Sequence, residues 1–207
     1  MGKFIEINKR QQGMTYVEII VVLAIFSLMS SVVIFNHSDF QARVDIKNLA
    51  SDIALKVVEA QKASLSGKLP PLAQQPLIDA TWKPSFGVYI NTVADNKSFT
   101  YFSDLKNPTQ NSQYDSSACP GTGECLDKVT ITKGSTISRL DVFYQGSGTA
   151  NQINDLTISF VRPNGGAVLR SSTSFSSTVS YVQITITSPG GTTSRIKIYP
   201  SGRIQVD

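Results

Sequence analysis

Residues 19–35 carry no charge at all, and from Met14 onward the only charged residue before them is Glu18. No other stretch of the 207 residues restricts the fold as strongly. About 20 apolar residues span a bilayer core as a helix, so the run 14–35 has the composition of a membrane segment. Lys3, Lys9 and Arg10 precede it, and the positive-inside bias predicts a cytoplasmic N-terminus with everything after about Asn36 outside. The expectation is therefore a single-pass protein of the cytoplasmic (inner) membrane with an extracytoplasmic head. A secretory signal peptide would need a small-residue cleavage site after the run. The sequence there reads NHSDFQARVD, with no such site. A plain signal anchor accounts for the hydrophobicity but not for Glu18. An ionised carboxylate inside a spanning helix costs roughly 2.5–3.5 kcal/mol on insertion scales and is usually kept for a partner.

The residues flanking Glu18 supply the missing reason. Lys9-Arg10-Gln11-Gln12-Gly13, then Met14-Thr15-Tyr16-Val17-Glu18, then the apolar run, closely resembles the leader of type IV pilins and pseudopilins. The resemblance implies that a prepilin peptidase cuts between Gly13 and Met14 and methylates the new N-terminus at Met14. The family usually has Phe at the first mature position; here it is Met14. Glu18 becomes the fifth mature residue. In the family, a Glu at this position is thought to pair with the N-terminal amine of a neighbouring subunit during assembly. Four residues make about one helical turn, so an intramolecular pair between Glu18 and the Met14 amine is the competing reading.

Beyond Asn36 the pattern becomes amphipathic. Ile46, Leu49, Ile53, Val57 and Ala60 recur at spacings of three and four, with Asp45, Lys47, Asp52, Lys56, Glu59 and Lys62 interleaved. That spacing predicts one apolar helix face. The sequence thus predicts a single helix over about 15–65, ended by Gly67 and the Pro70-Pro71 pair. Residues 67–85 are Pro-rich and polar, and read as a loop. Strands are predicted at 86–91, 98–102, 128–132, 140–144, 156–162, 167–170, 179–187, 194–199 and 203–206, several with alternating apolar and polar residues. Pro163-Asn164-Gly165-Gly166 and Pro189-Gly190-Gly191 mark turns. Short connections favour antiparallel pairing. The expected class is α+β. The leader would be 1–13, a transmembrane half-helix 14–36, an amphipathic half 37–66, and a β-rich head 67–207.

The C-terminal third narrows the resemblance. Ile158-Ser159-Phe160, Pro163, Gly165-Gly166, the strands 182–187 and 195–199, and Ser201-Gly202-Arg203-Ile204 resemble the head of the minor pseudopilin of type II secretion and related minor type IV pilins. The partners implied are other pilin or pseudopilin subunits, the inner-membrane assembly platform, the prepilin peptidase and membrane lipid. Gly202 fits a tight turn needing positive φ.

Chemistry-bearing motifs are sparse. The chain has one His and two Cys. His37 follows the apolar run and reads as an interfacial polar residue. No P-loop, H-E-x-x-H or G-x-S-x-G pattern occurs, so neither an enzyme nor a cofactor is expected. Cys119 and Cys125 read as a disulfide in an extracytoplasmic head. A metal site is the rival, without a His beside it, and free thiols fit a reducing compartment. The alternative function is DNA uptake. Some minor pilins resembling this chain bind DNA through basic residues near the C-terminus. Here Arg195, Lys197 and Arg203 are the candidates. The position two after the Gly-Arg arginine, where those proteins have a second Arg, is Gln205. The net charge of +4 permits a polyanion partner without arguing for one.

Overall fold

A computed structural model describes residues 13–105, 110–115, 119 and 123–207, with the side chains of these except 33–39. Residues 1–12 of the expected leader 1–13 and the side chain of His37 lie outside the described residues. The chain divides into two compact units, residues 1–41 and 42–207. Helix α1, Tyr16–Leu65, contributes to both.

In the first unit every described side chain from Met14 to Val32 is exposed, apart from the half-buried Ser30. Thr15 begins the helix. Its Oγ1 accepts the Glu18 N–H at 3.3 Å, and its carbonyl accepts the Ile19 N–H at 3.2 Å. Thr-x-x-Glu is the sequence form of a capping box, so the hydroxyl satisfies a donor that would otherwise have no partner in the first turn.

The second unit is mainly β. From Ala42 the helix buries Ile46, Ala50, Ile53, Val57, Ala60 and Ala63, a stripe at the helical period. Gly67 closes the helix with φ +69°, the left-handed conformation common after a helix C-terminus. Among the described residues ten strands follow, in two five-stranded antiparallel sheets. Sheet 1 runs in the order β3-β2-β1-β6-β7 and sheet 2 in the order β10-β9-β8-β4-β5. Sheet 1 consists of β1 (Ser85–Asn91), β2 (Asp95–Ser103), β3 (Cys125–Thr130), β6 (Asp155–Val161) and β7 (Ala167–Arg170). Sheet 2 consists of β4 (Thr136–Tyr144), β5 (Ala150–Ile153), β8 (Val179–Thr187), β9 (Thr193–Ile198) and β10 (Ile204–Val206). One hydrophobic cluster joins the helix stripe to Phe86, Val88, Ile158 and Phe160 of sheet 1 and to Val142, Ile184, Ile186 and Ile196 of sheet 2.

Polar contacts lock the helix onto this core. Ser64, fully buried, donates its hydroxyl to the Phe160 carbonyl at 2.6 Å and accepts the Phe86 N–H at 3.0 Å. Gln61 Nε2 donates to the Gly165 carbonyl at 2.7 Å. Gly202, with φ +85°, sits against that same carbonyl and the Gln61 amide. A side chain there would be strained by its φ and would also collide with both groups.

Two expectations are corrected. The class is mainly β rather than an α+β fold built around a half-membrane helix, because two full antiparallel sheets supply most of the ordered structure after Leu65. Among the described residues no helix is long and apolar enough to cross a membrane. The transmembrane segment at 14–36 and the single-pass inner-membrane location are accordingly not supported. Glu18 in the first turn and Ser27, Ser30 and Ser31 interrupt the apolar side chains of this stretch.

Candidate functional site

Gly13 and Met14 are both exposed and lie immediately ahead of the capped helix start. A Cβ added at Gly13 would meet no described residue within 4 Å. Glu18 is exposed in the first helical turn. Its backbone is engaged by Thr15, which gives the Thr-Glu spacing a local structural role beside any role in assembly. Around it Tyr16 (78%), Phe26 (68%), Leu28 (71%) and Met29 (66%) stand open. These large apolar groups have no cover within the first unit.

Arg195, Lys197 and Arg203 come together on one face of sheet 2. On β9, Ser194, Ile196 and Ile198 are buried, so Arg195 and Lys197 point the other way. Tyr199 donates its backbone N–H to the Arg203 carbonyl, which brings Arg203 to the same face. Two of the three cations are already engaged. Lys197 Nζ lies 2.6 Å from Asp207 Oδ2, and the Asp207 carboxylate raises the Lys197 ammonium above its ordinary range. The Arg203 guanidinium lies 4.0 Å from the centre of the Tyr199 ring. Tyr199 in turn neighbours Tyr181 at 5.5 Å, and Tyr181 stacks on Phe143 at 4.5 Å. Only the Tyr181 and Phe143 rings are stacked; the Tyr199 ring is tilted against Tyr181.

Cys119 and Cys125 form a disulfide with Cα atoms 5.1 Å apart. Among the described residues no group of three or more His, Cys, Asp or Glu could hold a metal ion.

Sequence reasoning passed over one polar cluster. Asp104 and Glu124 are 0% and 2% exposed. Burial pushes the Asp104 carboxyl up to about 6 and the Glu124 carboxyl up to about 7. Asp104 Oδ2 accepts the Ser112 N–H at 2.9 Å and the Ser85 hydroxyl at 3.3 Å. Glu124 Oε1 accepts the Leu105 N–H at 3.1 Å, and Oε2 the Asp115 N–H at 2.8 Å. Both residues sit in segments too polar to read as core. The available signal was the Asp104-Leu105 step just after the β2 apolar run and Glu124 beside Cys125.

No family model, curated protein or solved structure matches this chain.

Proposed function

We propose that this chain is a minor pilin or pseudopilin, a structural and non-catalytic subunit of a type IV pilus or type II secretion pseudopilus. The observation that carries the reading is the N-terminal arrangement. Gly13 and Met14, both exposed, precede a Thr15-capped helix whose first turn holds Glu18 and whose apolar side chains stand exposed. Cleavage would leave a cationic amine at Met14, one helical turn from Glu18. Glu18 then supplies a counter-charge for that amine in its own or a neighbouring subunit. Burying each exposed apolar side chain against neighbouring helices would contribute on the order of 1.5–3 kcal/mol. The prepilin peptidase, other pilin-like subunits and the assembly platform of the filament are the partners this requires.

The test is mass spectrometry of the chain co-expressed with a prepilin peptidase. The expected product starts at Met14 and carries an N-methyl group. An intact leader in the presence of active peptidase would reject the reading. Glu18→Ala is expected to leave processing unchanged and to lower recovery of the chain in sheared filaments; undiminished recovery would reject the role assigned to Glu18.

A second reading, DNA capture, draws on the placement of Arg195, Lys197 and Arg203 on one face of sheet 2. Asp207 on that face counts against it by holding Lys197. A gel shift with duplex DNA at about 150 mM salt, where exposed charges are screened beyond roughly 8 Å, separates the two readings. Binding that falls on Arg203→Ala and strengthens steeply as salt is lowered would favour DNA capture. Absence of binding favours the purely structural subunit.

A further inference from the structure

Residues 110–115 lie across the outer side of sheet 1 and build a small second apolar cluster there. The Tyr114 ring packs on Tyr89 at 4.9 Å and on Phe102 at 5.4 Å. Phe102 is fully buried although it stands apart from the main core, and Leu105 is buried beside the same segment. Gly87 makes this possible, since a Cβ there would run into the Phe102 ring. Between this strap and the sheet lies a cavity of about 240 Å³, lined in part by Tyr89, Thr100, Tyr114, Cys119 and Lys128.

The strap is fastened at its base by the two buried carboxyl groups. Ser112, held at φ 64°, gives its N–H to Asp104, and Asp115 gives its N–H to Glu124. Leu105, where the chain leaves sheet 1, is tied to Glu124 as well. Among the described residues Asp104 Oδ1 is buried without a hydrogen-bond partner. The charges that act on the pair are themselves acidic: Asp115 acts on both, and Asp104 acts on Glu124. Lys128, on the cavity wall, is paired with Asp95 at 3.0 Å. Lys83 is exposed and meets the strap through its backbone, which is bonded to the Gln110 side chain.

Among the described residues no cation partners either carboxyl; the N–H and O–H groups donated to the pair offset only part of the cost of burying two ionised groups, and protonation removes that cost. We propose that Asp104 and Glu124 form a proton-operated latch, which holds the 110–115 strap over the outer face of sheet 1 while protonated and lets it lift when both groups ionise. Lifting the strap hydrates both groups and returns them to the ordinary carboxyl range, so a proton favours the closed form. The burial that raises both groups places the change between about pH 5 and pH 8. Opening would uncover Tyr89, Phe102 and the cavity, an apolar surface on the opposite side of sheet 1 from the main core. The latch stands independently of the filament reading.

Hydrogen–deuterium exchange of the full chain, read by mass spectrometry and corrected for intrinsic rates, tests it. Protection of the amides of residues 110–115 is expected to fall roughly ten- to a hundredfold from pH 5.5 to pH 8. Peptides covering Asp155–Val161 should keep theirs. Glu124→Gln is expected to remove most of that fall. A flat profile in the natural chain overturns the proposal, as does an unchanged fall in Glu124→Gln. Should Glu124→Gln fail to fold, carbon-13 titration of the natural chain decides: both carboxyls titrating near 4 overturns the latch. Protection restored at pH 8 by millimolar calcium chloride also overturns it, because a bound cation would then supply the missing counter-charge.

Discussion

The same helical period serves two opposite purposes on either side of Gln41. In the first unit Val17, Ile20, Leu23 and Phe26 are all exposed. From Ala42 on, Ile46, Ile53, Val57 and Ala60 are almost wholly buried, and the remaining faces are mostly polar, with Leu55 and Leu65 the exposed apolar exceptions. A helix that is apolar all round needs partners on every side, whereas one with a single apolar stripe needs only one surface. The second unit supplies that surface from its own sheets. The first does not, and the proposed filament neighbours would take that place.

Substitutions should therefore have very unequal effects. The largest is expected for Val57→Asp, which places a charge among fully buried groups; it should unfold the second unit, visible as loss of a cooperative thermal transition. Leu23→Ser, equally radical in chemistry, should move that transition by less than about 0.5 kcal/mol, because Leu23 is 60% exposed. A comparable loss from both would break the contrast.

Ser64→Ala comes next. It leaves a buried Phe86 N–H and Phe160 carbonyl without their shared partner. Denaturant titration should show a loss of about 2–3 kcal/mol. A change below about 0.5 kcal/mol would mean that the helix–sheet contact is not secured there.

The pH profile sharpens the picture of the second unit. Asp104 and Glu124 are raised in the folded state to about 6 and about 7, chiefly by burial. Stability tied to their protons is complete below the unfolded carboxyl range and is lost as pH rises through 6 and 7. Asp95 is lowered to about 2, first by the Ser98 hydroxyl and then by Lys128. It works the other way, since its contribution is lost as pH falls below about 4. Midpoints of denaturation are expected to be highest near pH 4–6 and lower at pH 8. A midpoint that rises steadily toward pH 8 would contradict the burial of the pair.

The smallest effect belongs to the first unit. Thr15→Ala removes the cap on Glu18 N–H and should cost about 1 kcal/mol of local helix stability, read as fraying of residues 15–19 in amide exchange. Thr15→Ser should restore it. Equal fraying in both variants would remove the cap from the account of the Thr-x-x-Glu spacing.

Much of the local structure was legible from residue order. The spacing from Ile46 to Ala60 together with Gly67 predicted a helix ending at about 65, and α1 ends at Leu65. Alternation at 182–187 and 195–199 predicted β8 and β9, whose buried residues are every second one. β5 was missed because Ala150, Asn151 and Gln152 are exposed and show no alternation; pairing with β4 at the sheet edge makes them a strand. β3 was placed three residues late, since its start at Cys125 follows from pairing with Phe102 rather than from its own pattern.

Period and punctuation, then, came from the sequence alone: where the helix stops, which residues alternate, and the Gly13–Glu18 spacing that resembles a prepilin. These are properties of neighbours in the chain, and backbone geometry reads them directly. The tertiary structure decided the rest. It set β1 beside β6 and β4 beside β8, and so divided the strands into two sheets. It also placed Arg203 on Tyr199 and Lys197 on Asp207, and it buried Asp104 and Glu124 under one strap. Each of those contacts joins residues whose burial and charge environment depend on distant segments, so local patterns such as the Asp104-Leu105 step only hint at them.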